Sequence, residues 1–295
     1  MNNLPLQKRV QIINLLVEGN SLRSAARISD TSITTVCKLL VEVGRACENF
    51  HNEKVRGIQS QRVQCDEIWS FVGCKDKNVT EEKRASGEGD VWTWVGIDAD
   101  TKLVVSWLVG SRSAECARDF MSDIAERLIN RVQLTTDGLQ AYLTAVIDAF
   151  GGRVDFAQLV KIYGSSDPTS NKTERKYSPA KLKSISKIAI SGNPDEDHVS
   201  TSYIERQNLT MRMHMRRFTR LTNAFSKKLE NHCHAIALHF VYYNFVKQHK
   251  SLRITPAMAA GITKRFMTLE DIARLVPEPI AQKRGSYKKR EKKDN

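Results

Sequence analysis

The chain lacks the apolar runs and the paired cysteines that define several protein classes. No apolar stretch approaches the roughly 20 residues that cross a bilayer, and the N-terminus has no signal-peptide core. The six cysteines are scattered without a Cys-x-x-Cys pair, so zinc-finger spacing is missing. We therefore expect an intracellular, soluble protein with no membrane contact and no disulfides.

Two common catalytic motifs are also missing. There is no glycine-rich phosphate loop ending in lysine, which argues against a nucleoside triphosphatase. There is no Gly-x-Ser-x-Gly elbow, so an acyl-transfer site has no support. Any chemistry must come from other groups.

Positive charge is what the chain has in excess. Its 295 residues carry 46 Lys and Arg against 33 Asp and Glu, a formal charge of +13. Such a balance favours nucleic acid or another anionic surface as partner, although some soluble proteins are simply basic. The length allows one large domain or two to three smaller ones.

Residues 5–43 have the pattern of three short helices. Apolar residues recur at helical spacing, and Ser21 and the turn at 29–32 provide N-caps for the second and third helices. A short helix, a tight turn and a following helix predict a helix-turn-helix, with a helical cap or dimerisation module as the alternative. The predicted DNA-contacting residues are Arg23, Arg27, Thr34, Thr35 and Lys38.

The middle of the chain alternates strands and helices. Strands are predicted at 62–72, 91–97, 103–109, 132–137 and 154–162, with helices at 113–130 and 139–150. Three strands in succession, followed by helix, strand, helix, strand and a late helix, are the order of an RNase H-like α/β fold with a mixed sheet.

Three carboxylates occupy contexts that suit one metal site. Asp66 lies in the middle of the first strand, Asp137 ends the fourth, and Glu205 opens a late helix. The first and fourth strands are neighbours in such a sheet, so the two aspartates would lie close together. Ligands bind at the carboxyl ends of parallel strands, which is where Asp137 lies. Since strand neighbours point to opposite faces, periodicity leaves Asp66 and Glu67 both open as the first ligand.

Two further segments are basic. Residues 163–197 read as a polar insertion, either DNA-facing or simply solvated, and 283–295 as a basic tail. After the late helical segment at 200–250, we expect residues 263–295 to form a short helix followed by this tail.

Several motifs together resemble the DDE transposases of bacterial insertion sequences of the IS-one type. The resemblance covers about residues 60–262, and more loosely the N-terminal helices. The matching segments are Cys65–Val72, Thr136–Gly138, Ser202–Asn208, Arg216–Lys228, Tyr243–Val246, His249–Leu252 and Thr255–Gly261. Unlike some relatives, the chain has no N-terminal cysteine-pair zinc module.

The resemblance implies a catalytic triad of Asp66, Asp137 and Glu205, with Asp66 preferred over Glu67. These residues would hold two Mg²⁺ ions, with Mn²⁺ as a substitute, about 4 Å apart for in-line phosphoryl transfer. It also implies a helix-turn-helix domain at 1–55 and a catalytic domain at 60–262 in a cytoplasmic, nucleoid-associated bacterial protein.

The expected partners are the element's terminal inverted repeats, target DNA and at least a second copy of the chain. Phosphate or DNA contacts are predicted for residues on and after the late helix: Arg206, Asn208, Arg212, Arg216, Arg217 and Arg220. Two alternatives remain: a DNA-binding regulator with an inactive RNase H-like domain, and a structure-selective nuclease.

Overall fold

The computed structural model describes residues 4–164, 182–219 and 222–277. Within these ranges the strands are β1 (Arg62–Val72), β2 (Gly89–Asp98), β3 (Val104–Gly110), β4 (Val132–Thr136), β5 (Val154–Tyr163) and β6 (Leu182–Ser191). The helices are α1 (Leu6–Val17), α2 (Leu22–Ile28), α3 (Ile33–Lys54), α4 (Glu81–Ala85), α5 (Ala114–Arg127), α6 (Ala141–Phe150), α7 (Ser202–His214), α8 (Leu229–Val241), α9 (Pro256–Ala259) and α10 (Leu269–Arg274).

The six strands form one mixed sheet in the order β3-β2-β1-β4-β5-β6. The first three strands pair antiparallel, whereas β4 runs parallel to both β1 and β5. This arrangement is consistent with an RNase H-like fold and confirms the predicted mixed sheet. The helical crossovers through α5 and α6 explain why β4 and β5 are parallel to β1.

Strand β6 was missed by the sequence interpretation, which treated 163–197 as an insertion without strands. It pairs antiparallel with β5 at the edge of the sheet. Its apolar residues Leu182, Ile185 and Ile188 are spaced by three and are exposed, so the alternation that marks a half-buried strand is absent. Residues 165–181 of the predicted insertion lie outside the described residues.

Helices cover both faces of the sheet. On one face α5 and α6 pack over Val63, Cys65 and Trp94. On the other face α7 and α8 pack over Ile68 and Val95. Because side chains alternate along a strand, neighbouring residues of β1 face different helices.

The three N-terminal helices form, with Ser21 and Ser32 accepting hydrogen bonds from the backbone N–H groups of Ser24 and Thr35 as N-caps. Helix α3 continues to Lys54, well beyond residue 43, where the predicted helical pattern ends. Its last turns are polar in sequence but bury His51, whose Nε2 lies 3.1 Å from the carbonyl oxygen of Val104.

The N-terminal helices share a hydrophobic core with α8 and with the segment that contains α9 and α10. Helix α3 packs against α8, where Gly44 lies against His234. DNA recognition by these helices and the domain boundary near residue 55 stay predictions.

No helix among the described residues is long and apolar enough to cross a membrane.

Candidate active site

Asp66 and Asp137 lie side by side because of the register between β1 and β4. Cys65 pairs with Thr136 in that parallel ladder, so the next residue on each strand is an aspartate. Carboxylate oxygens of Asp66, Glu67 and Asp137 all lie within 4.8 Å of one another. Asp66 and Asp137 therefore lie close together, as their places on neighbouring strands predicted.

Asp66 faces α7. Its Oδ2 accepts a hydrogen bond of 2.9 Å from Nδ2 of Asn208, and its Oδ1 accepts one of 2.8 Å from the backbone N–H of Glu67. Burial, followed by the nearby charges of Glu67 and Asp137, raises the pKa of Asp66 to about 7. The side chain is thus held in place in an excess of negative charge.

Glu67 faces the opposite side of β1, towards α6. Its Oε2 accepts a 3.0 Å hydrogen bond from the Tyr142 hydroxyl, and its Oε1 lies 2.6 Å from an Arg112 nitrogen. Burial is the main cause that raises its pKa, and Asp137 adds to it, while Arg112 opposes the shift. Glu67 is therefore already paired on the side of the sheet that faces away from α7.

Glu205 reaches the site from the first turn of α7. Gln64, on β1, fixes this turn because its Oε1 accepts the backbone N–H groups of Tyr203 (2.9 Å) and Ile204 (3.2 Å). The side chain of Thr201, at the N-cap position, makes no capping hydrogen bond, so Gln64 caps the helix instead. The helix end is thereby tied to the strand that carries Asp66.

The Glu205 carboxylate is not part of the tight three-carboxylate cluster, but it lines the same cavity. It accepts a 2.6 Å hydrogen bond from Thr201 Oγ1 and forms an ion pair with Lys161. The cavity is about 740 Å³, and its lining includes Asp66, Asp137 and Glu205 but not Glu67.

Two cations of this cavity were missed by the sequence interpretation. Arg112 lies just beyond β3, stacks its guanidinium 4.7 Å from the centroid of the Trp92 ring, and is 3.8 Å from Asp137. Lys161 lies near the carboxyl end of β5, next to the strand that leads to Asp137. Lys161 could have been identified from the sequence, because it is a basic residue near the carboxyl end of a predicted parallel strand.

The donor set suits a hard divalent cation. Short carboxylate oxygens are the ligands that Mg²⁺ prefers, and the cluster at Asp66 and Asp137 supplies them from a rigid sheet. Glu205 faces the same cavity from a helix. The residues present therefore fit a metal centre, whose cations would also offset the negative charge around Asp66.

The predicted DNA contacts of the N-terminal helices lie mostly on the surface. Arg23, Arg27, Thr34 and Lys38 are exposed, whereas Thr35 is half-buried. The hydroxyls of Thr35 and Ser32 are 2.8 Å apart.

The predicted contacts of the late helix divide into two groups. Arg206 and Arg216 are exposed and Arg212 is half-buried. Asn208 is buried against Asp66, so it positions a carboxylate instead of contacting DNA as predicted. Arg220 lies outside the described residues.

Arg217 also differs from its predicted role. Its guanidinium donates to the carbonyl oxygen of Asn231 at 2.7 Å and to Oγ of Ser226 at 3.1 Å. Burial lowers its pKa to about 10. The side chain therefore stabilises the chain before α8 instead of facing outward to a phosphate.

No protein-family model and no curated protein matches the chain. Among solved structures, the chain is similar to the piggyBac transposase in a synaptic complex with hairpin DNA, at 10% identity and a TM-score of 0.40, over 92% of this chain and 69% of that one. It is also similar to a pre-cleavage Mos1 transpososome, at 11% identity and a TM-score of 0.22, over 53% of this chain and 60% of that one. Both TM-scores are low, and the fold assignment depends on strand order and register.

Proposed function

We propose that the chain is a DDE transposase that cuts and joins the ends of its own insertion sequence. The observation that carries this proposal is the cavity lined by Asp66, Asp137 and Glu205, which come from two adjacent strands and one helix. In a protein with a formal charge of +13, such a site suits chemistry on a polyanion.

Asp66, Asp137 and Glu205 are the residues that would hold Mg²⁺. Asp66 is preferred over Glu67 because it lines the cavity, whereas Glu67 is engaged by Arg112 and Tyr142. When bound, Mg²⁺ supplies Lewis acidity to the attacking and leaving oxygens of an in-line phosphoryl transfer.

The other residues of the cavity orient the ligands and the substrate. Asn208 holds the Asp66 carboxylate in one orientation through its amide. Arg112 and Lys161 line the cavity and carry positive charge that a phosphodiester would meet on entry. Lys161 is paired with Glu205, so binding of substrate or metal must rearrange that pair.

DNA contacts extend beyond the cavity in this proposal. The N-terminal helices read the terminal inverted repeats through the exposed residues Arg23, Arg27, Thr34 and Lys38. Arg206, Arg212 and Arg216 hold phosphates beside the site, which makes binding steeply salt-dependent. Pairing two element ends requires at least a dimer.

A plasmid experiment tests the proposal against its two alternatives. Supercoiled plasmid carrying the DNA that flanks the gene is incubated with the purified chain and Mg²⁺. A transposase nicks at the repeat ends and joins the freed 3′-OH to target DNA.

The alternatives give different products. A regulator binds the repeats and leaves the plasmid intact. Binding without nicking would contradict the proposal that the chain is an enzyme. A structure-selective nuclease cleaves branched DNA whether or not repeats are present, and joins nothing.

A further inference from the structure

A second cavity lies beside the candidate active site, on a neighbouring face of α7. It measures about 590 Å³ and is enclosed by α7, the turn between β2 and β3, and the segment from residue 243 to 253. Among the described residues, its lining contains five Lys or Arg residues and two His residues, and no Asp or Glu. We call it the basic cavity. Its seven basic residues are Lys102, Arg206, His214, Lys247, His249, Lys250 and Arg253.

The positive charge of the basic cavity is not balanced by the protein around it. In the described part of the chain, none of its five Lys and Arg residues forms an ion pair with a carboxylate. Glu18 acts electrostatically on Lys247 without forming an ion pair with it, and accepts a 3.1 Å hydrogen bond from the hydroxyl of Tyr242. Crowded like charges cost free energy that a bound anion would recover.

The histidines respond to this charge. The Lys247 ammonium donates to Nε2 of His214 at 2.7 Å, so that imidazole is neutral. Burial and then Lys247 lower the pKa of His214, and burial followed by Lys102 and Lys247 lowers the pKa of His249. Burial is the larger cause of both shifts, and the lysine charges add to it in the same direction.

The basic cavity offers more positive charges than a single small anion neutralises, and they come from three separate segments of the chain. Arg206 belongs to α7, Lys102 to the β2–β3 turn, and Lys250 and Arg253 to the segment before α9. One phosphate neutralises fewer charges than the five present here, whereas a chain of phosphodiesters can meet several cations in sequence.

The basic cavity also adjoins the site of the proposed chemistry. Glu205 and Arg206 are consecutive on α7, and their side chains diverge by about 100° around the helix axis. Glu205 lines the candidate active site and Arg206 lines the basic cavity. A strand held at the first can therefore continue around α7 into the second.

We propose that the basic cavity binds the sugar-phosphate backbone of the DNA strand that passes through the candidate active site. This inference rests on the proposed function in one respect, namely that the strand is the substrate. It assigns phosphate contacts to Lys102, Lys247, Lys250 and Arg253, none of which the sequence interpretation predicted to contact DNA.

The test is DNA binding by the full chain carrying Arg206→Gln and Lys250→Gln together. Its control carries Arg118→Gln and Arg153→Gln, two exposed arginines on and after the helices of the opposite face of the sheet. Affinity for a duplex and for a single strand is measured by fluorescence anisotropy between about 50 and 200 mM salt. Thermal melting verifies that each variant is folded, and Lys250→Gln alone replaces the double variant if that one unfolds.

We expect the double variant to lower the slope of log affinity against log salt by about 0.9 for each duplex phosphate that the variant no longer neutralises, and the control to leave it unchanged. Equal slopes for the double variant and the wild type would overturn the inference. So would calorimetry in which inorganic phosphate binds the wild type but not the variant while the DNA slope is unaltered, because that describes a free-phosphate site.

Cleavage of the same plasmid by the same proteins separates this inference from the proposed function. A reduced slope in the double variant with no cleavage by the wild type supports the basic cavity and removes the transposase proposal. Cleavage by the wild type, together with an unchanged slope in the double variant, supports the transposase proposal and removes the inference about the basic cavity.

Discussion

At the scale of single residues, the main question is which acid of the Asp66-Glu67 pair serves the site. Strand alternation sends the two side chains to different faces of β1. Asp66 meets Asn208 on the α7 side, and Glu67 meets Tyr142 on the α6 side. Glu67 thus holds Arg112 in position while Asp66 faces the cavity.

This division of roles predicts different reductions of metal affinity. Substitution of a residue that only supports a metal ligand lowers metal affinity by up to roughly 100-fold. Asp66→Asn removes a proposed ligand, so its Mn²⁺ affinity should fall by more than this. The reduction in Glu67→Gln should be smaller than this. Electron paramagnetic resonance of free Mn²⁺ measures both. A larger reduction in Glu67→Gln than in Asp66→Asn would reverse the assignment.

Sequence reasoning found the acids of the site but not their partners. Asp66, Asp137 and Glu205 could be predicted because carboxylates in apolar or strand-end contexts are unusual. Arg112 could not, since it lies 46 residues beyond Asp66 in a turn, and only the folded sheet places it against Glu67. The hydrogen bonds of Arg217 to the chain before α8 could not be predicted either, because a basic sequence does not show which guanidinium is turned inward.

At the scale of secondary-structure elements, the packing of α3 against α8 connects the N-terminal helices to the layer that covers the mixed sheet. A Cβ atom added at Gly44 would lie 2.3 Å from Cβ of His234 and 2.6 Å from its backbone oxygen. The helices can approach this closely because Gly44 has no side chain.

We expect Gly44→Ala to destabilise the fold even though alanine is the better helix former. Overpacking costs about 1–3 kcal/mol, which offsets the gain of up to about 1 kcal/mol in helix propensity. Thermal unfolding measures the difference. Asn49→Ala, at an exposed position of the same helix, is the control and should be neutral or slightly stabilising; a gain in melting temperature for Gly44→Ala would show that α3 and α8 are not so close.

The order of β1 to β5 could be predicted because their apolar residues are continuous or alternate as strands require. Strand β6 and the last turns of α3 could not. The former is an exposed edge strand, and the latter is polar in sequence but buries His51 through contacts made by β3. In both cases tertiary contacts outweigh the local pattern.

At the scale of the whole molecule, buried histidines make the fold sensitive to acid. Burial is the main cause that lowers the pKa of His51, His232 and His239 to about 3 in each case. At these three histidines the unfolded chain binds more protons than the folded chain between pH 6.5 and 3. Their contribution to stability is complete above pH 6.5 and is lost as the pH falls through that window.

His239 provides the clearest test of this acid sensitivity, because neither ring nitrogen has a hydrogen-bond partner among the described residues. At pH 5, protonation of His239 in the unfolded chain should lower the free energy of unfolding by about 2 kcal/mol. His239→Leu should therefore reduce the drop in melting temperature between about pH 7 and pH 5. His198→Gln, at an exposed position, should not; an equal drop in wild type and His239→Leu would contradict the account.

DNA cleavage by Asp137→Asn in Mg²⁺ is the decisive test of whether the acidic cavity carries out catalysis. The variant should bind plasmid DNA like the wild type, because Asp137 lies in the site and carries no positive charge. Its cleavage rate should fall by at least about a thousand-fold, since removal of a metal ligand takes away several kcal/mol of charge stabilisation. Asp119→Asn, exposed on α5, should cleave normally. Wild-type cleavage by Asp137→Asn would show that the three-acid cavity is not the catalytic centre.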